Sequence, residues 1–342
     1  MELDAIIEES MALAEQEFYN KKFEFSYSSL NKLLWNPQSF YQTYVLGNRE
    51  ERDDAHLVNG KVIHALLLEE NKFNDNFIVS PSTLPTGNQK KVIDAVFKHY
   101  QELSRNGDER TSLDQFELAV IDVMKDLNYH QSLKTDKQRI EKVLTPDAYN
   151  YWAFLQMKGK KTLVDQESVD FCKTAVEIVK LNKQVCELIG CNATDFDNKE
   201  IFNEIALNCS VNDMPFGLKA VIDNLVFDND KKIVYINDIK TTSKELKDFP
   251  ETVEFYNYWL QAAIYTSIVA TQHFEKFEAG WKIQFNFVVI DKYFQVYPFP
   301  VSHATLDEWI TKLTEVLEVA QWHYNNKQFD LPYQFANGLV TL

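Results

Sequence analysis

The chain predicts a mixed α/β fold, a central sheet flanked by helices, with one helical elaboration between its first helices and its sheet. Three observations predict it. The C-terminal part reads in the order helix, three strands, helix, two strands. The stretch 86–195 reads as mostly helix, with no internal repeat and no low-complexity tract. A hydrophobic content of 45%, with 13% aromatic, is ample for a packed core in 342 residues. We read 1–342 as a single domain, with 86–195 as an elaboration inside it.

Residues 2–20 carry the spacing of an acidic amphipathic helix. Ser26-Tyr27-Ser28-Ser29-Leu30 opens the next helix, with Ser28 or Ser26 as its N-cap, and Asn36-Pro37 breaks it. At 61–70 an apolar face of Val62, Ile63, Ala65, Leu66 and Leu67 carries one odd residue, His64. Helices follow at 88–107, 112–127, 135–143 and 167–189, with breakers at Gly107-Asp108, Thr145-Pro146 and Gly159. Tyr149, Tyr151, Trp152 and Phe154 are either core or a platform for stacking bases. Residues 201–209 alternate as a strand bearing Glu204, and Asp213-Met214-Pro215 turns it into the next. Strands at 218–227 and 232–240 flank a polar Asp228-Asn229-Asp230-Lys231 turn, which is a hairpin pattern. Asp248-x-x-Glu251 with Pro250 starts a helix over 251–270. Strands at 281–290 and 293–298 and a helix at 305–324 complete the chain.

The hairpin holds the chemistry. Asp223, Asp238 and Lys240 stand where a plain strand would have Val or Ile. With the turn centred between Asn229 and Asp230, Asp223 faces Ile236 and has Asp238 as its diagonal neighbour. With the centre one residue later, Asp223 faces Asp238. Either register puts all three on one face, unless a bulge intervenes. Two carboxylates about 5–8 Å apart repel unless a cation lies between them, and hard oxygen donors suit Mg²⁺ or Mn²⁺. A nearby ammonium can orient water or stabilise developing phosphate charge. The plainer reading is a surface salt-bridge cluster. On the 251–270 helix Gln261 and Tyr265 share a face, with Asn257 one turn earlier.

The order Asp223…Asp238-x-Lys240-Thr241-Thr242, followed by Gln261-x-x-x-Tyr265, resembles the PD-(D/E)XK nuclease superfamily, and within it the RecB-like and RecE-like (exonuclease VIII) nucleases. Gly60-Lys61-Val62-Ile63-His64-Ala65-Leu66-Leu67-Leu68-Glu69 resembles the helix that carries their first histidine, and Phe77-Ile78-Val79-Ser80-Pro81 follows as it does in them. The resemblance spans 26–81 and 200–300, with Asp238 where many relatives have Glu. It implies a restriction-endonuclease-like core and a metal-dependent deoxyribonuclease, most narrowly a 5′→3′ exonuclease on double-stranded DNA ends that leaves 3′ tails for recombination. It implies Asp223, Asp238, Lys240, Gln261 and Tyr265 as catalytic residues, with His64, Glu204, Asp223 and Asp238 around Mg²⁺ or Mn²⁺. A single-strand annealing protein and a homo-oligomer are the partners it implies. The alternatives are a Cas4-like or structure-specific endonuclease and a non-catalytic DNA-end-binding protein.

Composition bounds these readings. No run approaches 18 apolar residues and no signal-peptide pattern opens the chain, so no membrane partner is expected, and the cysteine spacing argues for reduced thiols in a cytoplasmic protein. Cys172, Cys186, Cys191 and Cys209 show no Cys-x-x-Cys spacing, and none lies near Trp35-Asn36-Pro37, so no iron–sulfur cluster is expected. The net charge of −16 argues against a general affinity for nucleic acid. Residues 130–163 oppose that trend, with Lys134, Lys137, Arg139, Lys142, Lys158, Lys160 and Lys161 against Asp136, Glu141 and Asp147. They are the candidate phosphate-contacting surface.

Overall fold

The computed structural model describes residues 2–48, 55–194 and 197–340. Residues 49–54, inside the first stretch of the resemblance, and 195, the last residue of the expected elaboration, lie outside them. Eight strands occur among the described residues: β1 (Glu24–Phe25), β2 (Phe77–Val79), β3 (Thr162–Val164), β4 (Lys199–Ser210), β5 (Gly217–Asp228), β6 (Ile233–Thr242), β7 (Lys282–Asp291) and β8 (Val296–Pro300). Contacts divide the chain into two compact units, one formed by Met1–Glu70 with Lys173–Leu342 and the other by Asn71–Cys172.

The first unit holds a six-stranded mixed sheet. β5 pairs antiparallel with β4 from end to end, save one rung. Its other edge carries β1 at the start and β6 at the end. β6 continues the sheet through a parallel β7, and β8 closes it antiparallel. The β6–β7 crossover runs through the helix Tyr258–Gln272, which packs between the sheet and the closing helix His303–Asn326. A helix covered on two sides must be apolar nearly all round, and every residue from Trp259 to Thr266 is buried. The helix Lys183–Ile189 packs against β5, β6 and β8.

Several expected elements come out differently. Ser26, one of the two candidates, caps the helix Tyr27–Trp35: its Oγ accepts from Ser29 N–H at 3.3 Å while Ser29 Oγ accepts from Ser26 N–H at 2.8 Å. The stretch 251–270 is two helices, Phe249–Phe255 and Tyr258–Gln272. Asn257 breaks it in a left-handed conformation (φ 55°), donating to Asn31 Oδ1 and accepting from Trp259 Nε1, so it does not extend the Gln261–Tyr265 face. The stretch 167–189 is likewise two helices, because the Asn182 side chain accepts from Val185 N–H and caps the second. The last strand starts at Val296, not 293, because Asp291 Oδ1 accepts from Tyr293 N–H and Gln295 N–H and holds a turn there.

In the second unit the helices Gly87–Arg105, Glu117–Asp126, Asp136–Val143 and Pro146–Lys158 enclose an aromatic core, beside a parallel β2–β3 pair. Tyr151, Trp152 and Phe154 belong to that core. Trp152 packs edge-on to Phe97 and donates its Nε1–H to Thr111 O at 2.8 Å. Three of the four aromatic side chains weighed as a stacking platform are therefore buried.

Candidate active site

The site begins where strand pairing stops. Asp228 pairs with Ile233 across a four-residue loop, which selects the later of the two hairpin registers. β5 and β6 remain paired up to Asn224↔Asn237, and the next rung would set Asp223 opposite Asp238. There the Asp223 carboxylate takes over from the backbone: its Oδ2 accepts from Ile239 N–H at 2.7 Å. The β4–β5 ladder omits a rung at the same level, Glu204 opposite Asp223.

The cause lies in Glu204, which has a left-handed backbone (φ 49°) in mid-strand. A glutamate held there costs about 1–3 kcal/mol. The kink also changes the phase of the sheet. Leu218, Ala220 and Ile222 face the core on one side of it, Leu225 and Phe227 on the other. The shift lets Glu204 and Asp223 meet His64. His64 Nδ1 is 3.4 Å from Glu204 Oε1 and 3.7 Å from Asp223 Oδ1.

His64 comes from the helix Ala55–Leu68. Gly60 stands one turn earlier on the same face, and a Cβ there would lie 3.3 Å from Thr241 Oγ1. The small residue lets the helix approach β6, which gives Gly60-x-x-x-His64 a packing reason. The imidazole Nε2 lies 3.0 Å from Ile239 O and donates to it, leaving Nδ1 to face the carboxylates. Burial works to lower the His64 pKa, but the Asp223 charge and the bond to Glu204 outweigh it and raise it to about 9. Without a cation the imidazole is therefore protonated and serves as the counter-charge.

Asp238 is fully buried. Its Oδ1 accepts from Gln261 Nε2 at 2.7 Å, and the same nitrogen donates to Tyr265 OH at 2.8 Å. Its Oδ2 lies 2.7 Å from the Lys240 ammonium, off the line of a good hydrogen bond, and has no aligned donor. The ammonium also sits 4.8 Å from the centre of the Tyr258 ring. Burial pushes the Asp238 pKa up to about 6 against the pull of Lys240. Burial raises Asp223 as well. Lys240 is raised too: burial would lower it, and the Asp238 and Asp223 charges outweigh that. Burial first, then the Asp238 charge, keeps Tyr265 a neutral phenol.

His64, Glu204 and Asp223 thus come together, each offering one atom within 4.8 Å of the others. Asp238 stands on the neighbouring strand and turns to Lys240 and Gln261 instead. Gln261 and Tyr265 are buried: Gln261 reaches Asp238, and Tyr265 reaches Gln261. One imidazole nitrogen with two carboxylate oxygens is a donor set for Mg²⁺ or Mn²⁺. The residues fit a divalent cation. Tyr258 and the backbone of Ile239 were not singled out from the sequence. Tyr258 precedes Gln261 by three positions on the same helix, and that spacing was a usable signal. In the second unit Arg139 is committed elsewhere, paired with Asp136 and donating to Leu133 O at 2.6 Å, while Lys134, Lys137, Lys142 and Lys160 are exposed.

A mixed sheet whose paired strands part around an Asp…Asp-x-Lys set, under a histidine helix, is the core of one nuclease class. The chain belongs to the PD-(D/E)XK nuclease superfamily, whose family model matches residues 24–330. No curated protein matches the chain. Among solved structures it is similar to a protein from Eubacterium rectale named "Putative exonuclease", at 11% identity and a TM-score of 0.43, over 95% of this chain and 91% of that one. A likeness at that level carries no argument about activity. Among the described residues no helix is long and apolar enough to cross a membrane.

Proposed function

We propose that the chain hydrolyses double-stranded DNA from an end, as a 5′→3′ exonuclease dependent on Mg²⁺ or Mn²⁺ that leaves a 3′ single strand for recombination. The meeting of His64, Glu204 and Asp223 beside the Lys240–Asp238 pair carries the hydrolytic part of this reading. The preference for ends and the polarity rest on the resemblance of the His64 helix and of Gln261-x-x-x-Tyr265 to RecE-like enzymes. A single-strand annealing protein and self-association rest on the same resemblance.

His64 Nδ1, Glu204 and Asp223 would hold a divalent cation. When bound, a divalent cation supplies a water of lowered pKa and neutralises charge on the scissile phosphate. To serve as a ligand His64 Nδ1 would have to be free of its proton, and the bond from Nε2 to Ile239 O keeps the ring oriented. Lys240 stays charged at working pH and faces the negative charge that grows on the phosphate. Asp238 and the Tyr258 ring hold its ammonium in place. Gln261 fixes the Asp238 carboxylate and Tyr265 fixes Gln261.

Digestion of end-labelled linear duplex, beside nicked and closed circles, with and without Mg²⁺, tests the reading. Mg²⁺-dependent release of 5′ nucleotides from linear duplex alone is expected. Cleavage of closed circles would make the protein an endonuclease. Binding of ends without cleavage in either metal would make it an end-binding protein.

A further inference from the structure

Behind the carboxylates runs a chain of asparagines. Asn203, Asn224, Asn237 and Asn286 stand in register on β4, β5, β6 and β7. Their side chains bond in one direction across the sheet. Asn286 Nδ2 donates to Asn237 Oδ1 at 2.9 Å, Asn237 Nδ2 to Asn224 Oδ1 at 2.7 Å, and Asn224 Nδ2 to Asn203 Oδ1 at 2.8 Å. The chain ends on the helix that bears His64, where Asn203 Nδ2 donates to Leu68 O at 2.9 Å. The second amide hydrogens of Asn224 and Asn237 go to Ile189 O and Leu188 O, the last carbonyls of the helix Lys183–Ile189. Asn224, Asn237 and Asn286 are fully buried or nearly so.

Placement gives the chain its meaning. Three of the four asparagines are sequence neighbours of a site residue: Asn203 of Glu204, Asn224 of Asp223, Asn237 of Asp238. Along β5 and β6 successive residues point to opposite faces, so Asn224 backs Asp223 and Asn237 backs Asp238, while Asn203 directly precedes the kinked Glu204. The asparagines occupy the last regular rung before the backbone pairing is interrupted between β4 and β5 and stops between β5 and β6. Where the strands part to present the carboxylates, the backbone no longer sets their spacing. Asn224 and Asn237, buried with both amide hydrogens engaged, resist any slip, because it would strand a polar group away from water.

We propose that the asparagine chain is the positioning element of the metal site: it fixes the distances among Glu204, Asp223 and Asp238 and ties the His64 helix to them. Its members are positioning residues and touch no substrate. The proposal rests on the reading of His64, Glu204 and Asp223 as metal ligands.

The test is Mn²⁺ binding to the whole protein, followed by the electron paramagnetic resonance of the free ion, with melting temperature measured on each variant. Asn237→Leu keeps the volume and removes the amide from the middle of the chain. Asn203→Ala cuts only the half-buried end at Leu68 O and keeps the test open should Asn237→Leu fail to fold. Leu317→Ala, a truncation in the closing helix, is the control for a general loss of stability. Expected is a loss of Mn²⁺ affinity of at least tenfold in Asn237→Leu and of about threefold or more in Asn203→Ala, with a broadened bound-ion spectrum, as imperfect support of ligands costs about 10–100-fold in affinity. Leu317→Ala should bind within twofold of wild type at a comparable drop in melting temperature. Folded ladder variants that bind Mn²⁺ as tightly as wild type, or no more weakly than Leu317→Ala does, would overturn the proposal. A wild-type protein that binds no Mn²⁺ would overturn the ligand assignment, and the positioning role with it.

Discussion

The two faces of the same sheet rung obey opposite rules. On one face Glu204, Asp223, Asp238 and Lys240 are charged or poised to be, with a left-handed backbone at Glu204, a carboxylate oxygen without an aligned donor and pKa values moved by burial and by one another. On the other face, one residue away, four neutral asparagines pass hydrogen bonds across β4 to β7, and the two in the middle have both amide hydrogens engaged. A fold that only had to be stable would look like the second face throughout. Buried charge, strain and unmet hydrogen-bonding capacity are kept where a ligand can relieve them. The first face has the makings of a ligand site, and the second is the rigid frame behind it.

The sharpest way to break this comparison is Asp223→Asn. The amide oxygen can still accept from Ile239 N–H, so the fold should hold, while the charge facing His64 is lost. Cleavage of linear duplex should fall at least a hundredfold, with a circular dichroism melt within a few degrees of wild type. A variant keeping more than about a tenth of the activity would show that this face needs no ligand.

Lys240→Met separates charge from contact. It keeps most of the side chain and removes the ammonium. Single-turnover cleavage in Mg²⁺ should slow by roughly a hundredfold. Binding of duplex in Ca²⁺ should change only a few-fold, as expected for an interaction made in the transition state. Proportional losses of binding and cleavage would demote Lys240 to an ordinary phosphate contact.

Glu204→Gly sets strain against function. Glycine accepts a positive φ, so the metal-free protein should gain about 1 kcal/mol and melt about 2 °C higher. Cleavage should fall about tenfold, in line with one weakened ligand. The rise in melting temperature that saturating Mg²⁺ gives the wild type, worth about 2.7 kcal/mol at a hundredfold excess over Kd, should shrink. A lower metal-free melting temperature would show that Glu204 supports the fold instead of straining it.

The smallest effect belongs to Tyr265→Phe, which reaches Asp238 only through Gln261. Gln261 keeps its bond to Asp238 and loses only its second acceptor. A few-fold fall in cleavage is expected, the size of one neutral hydrogen bond of about 1 kcal/mol. A hundredfold fall would place the phenol among the reacting groups.

The element order, the hairpin, its Asp-x-Lys pattern and the shared face of Gln261 and Tyr265 could all be read from the sequence. They depend on local periodicity and on turn residues, and such information lies within ten or so positions of itself. The same locality explains the misses. A run of apolar residues over 251–270 looks like one helix because nothing nearby in sequence reveals that Asn257 will bond to Asn31. The aromatic run at 149–154 reads more readily as core than as platform, and only Phe97 and Phe116, which pack on Trp152, decide it. The two hairpin registers differ by one residue in a polar loop, and only the pairing of Asp228 with Ile233 decides between them. Above all, strict alternation cannot announce the left-handed turn at Glu204 that brings its carboxylate to His64, about 140 residues away in sequence. Charge, apolarity and the preference of each short segment are local properties and were legible residue by residue. The tertiary structure alone decided which charges meet, because their meeting depends on where helices dock and strands part, and those are set by burial summed over the whole core.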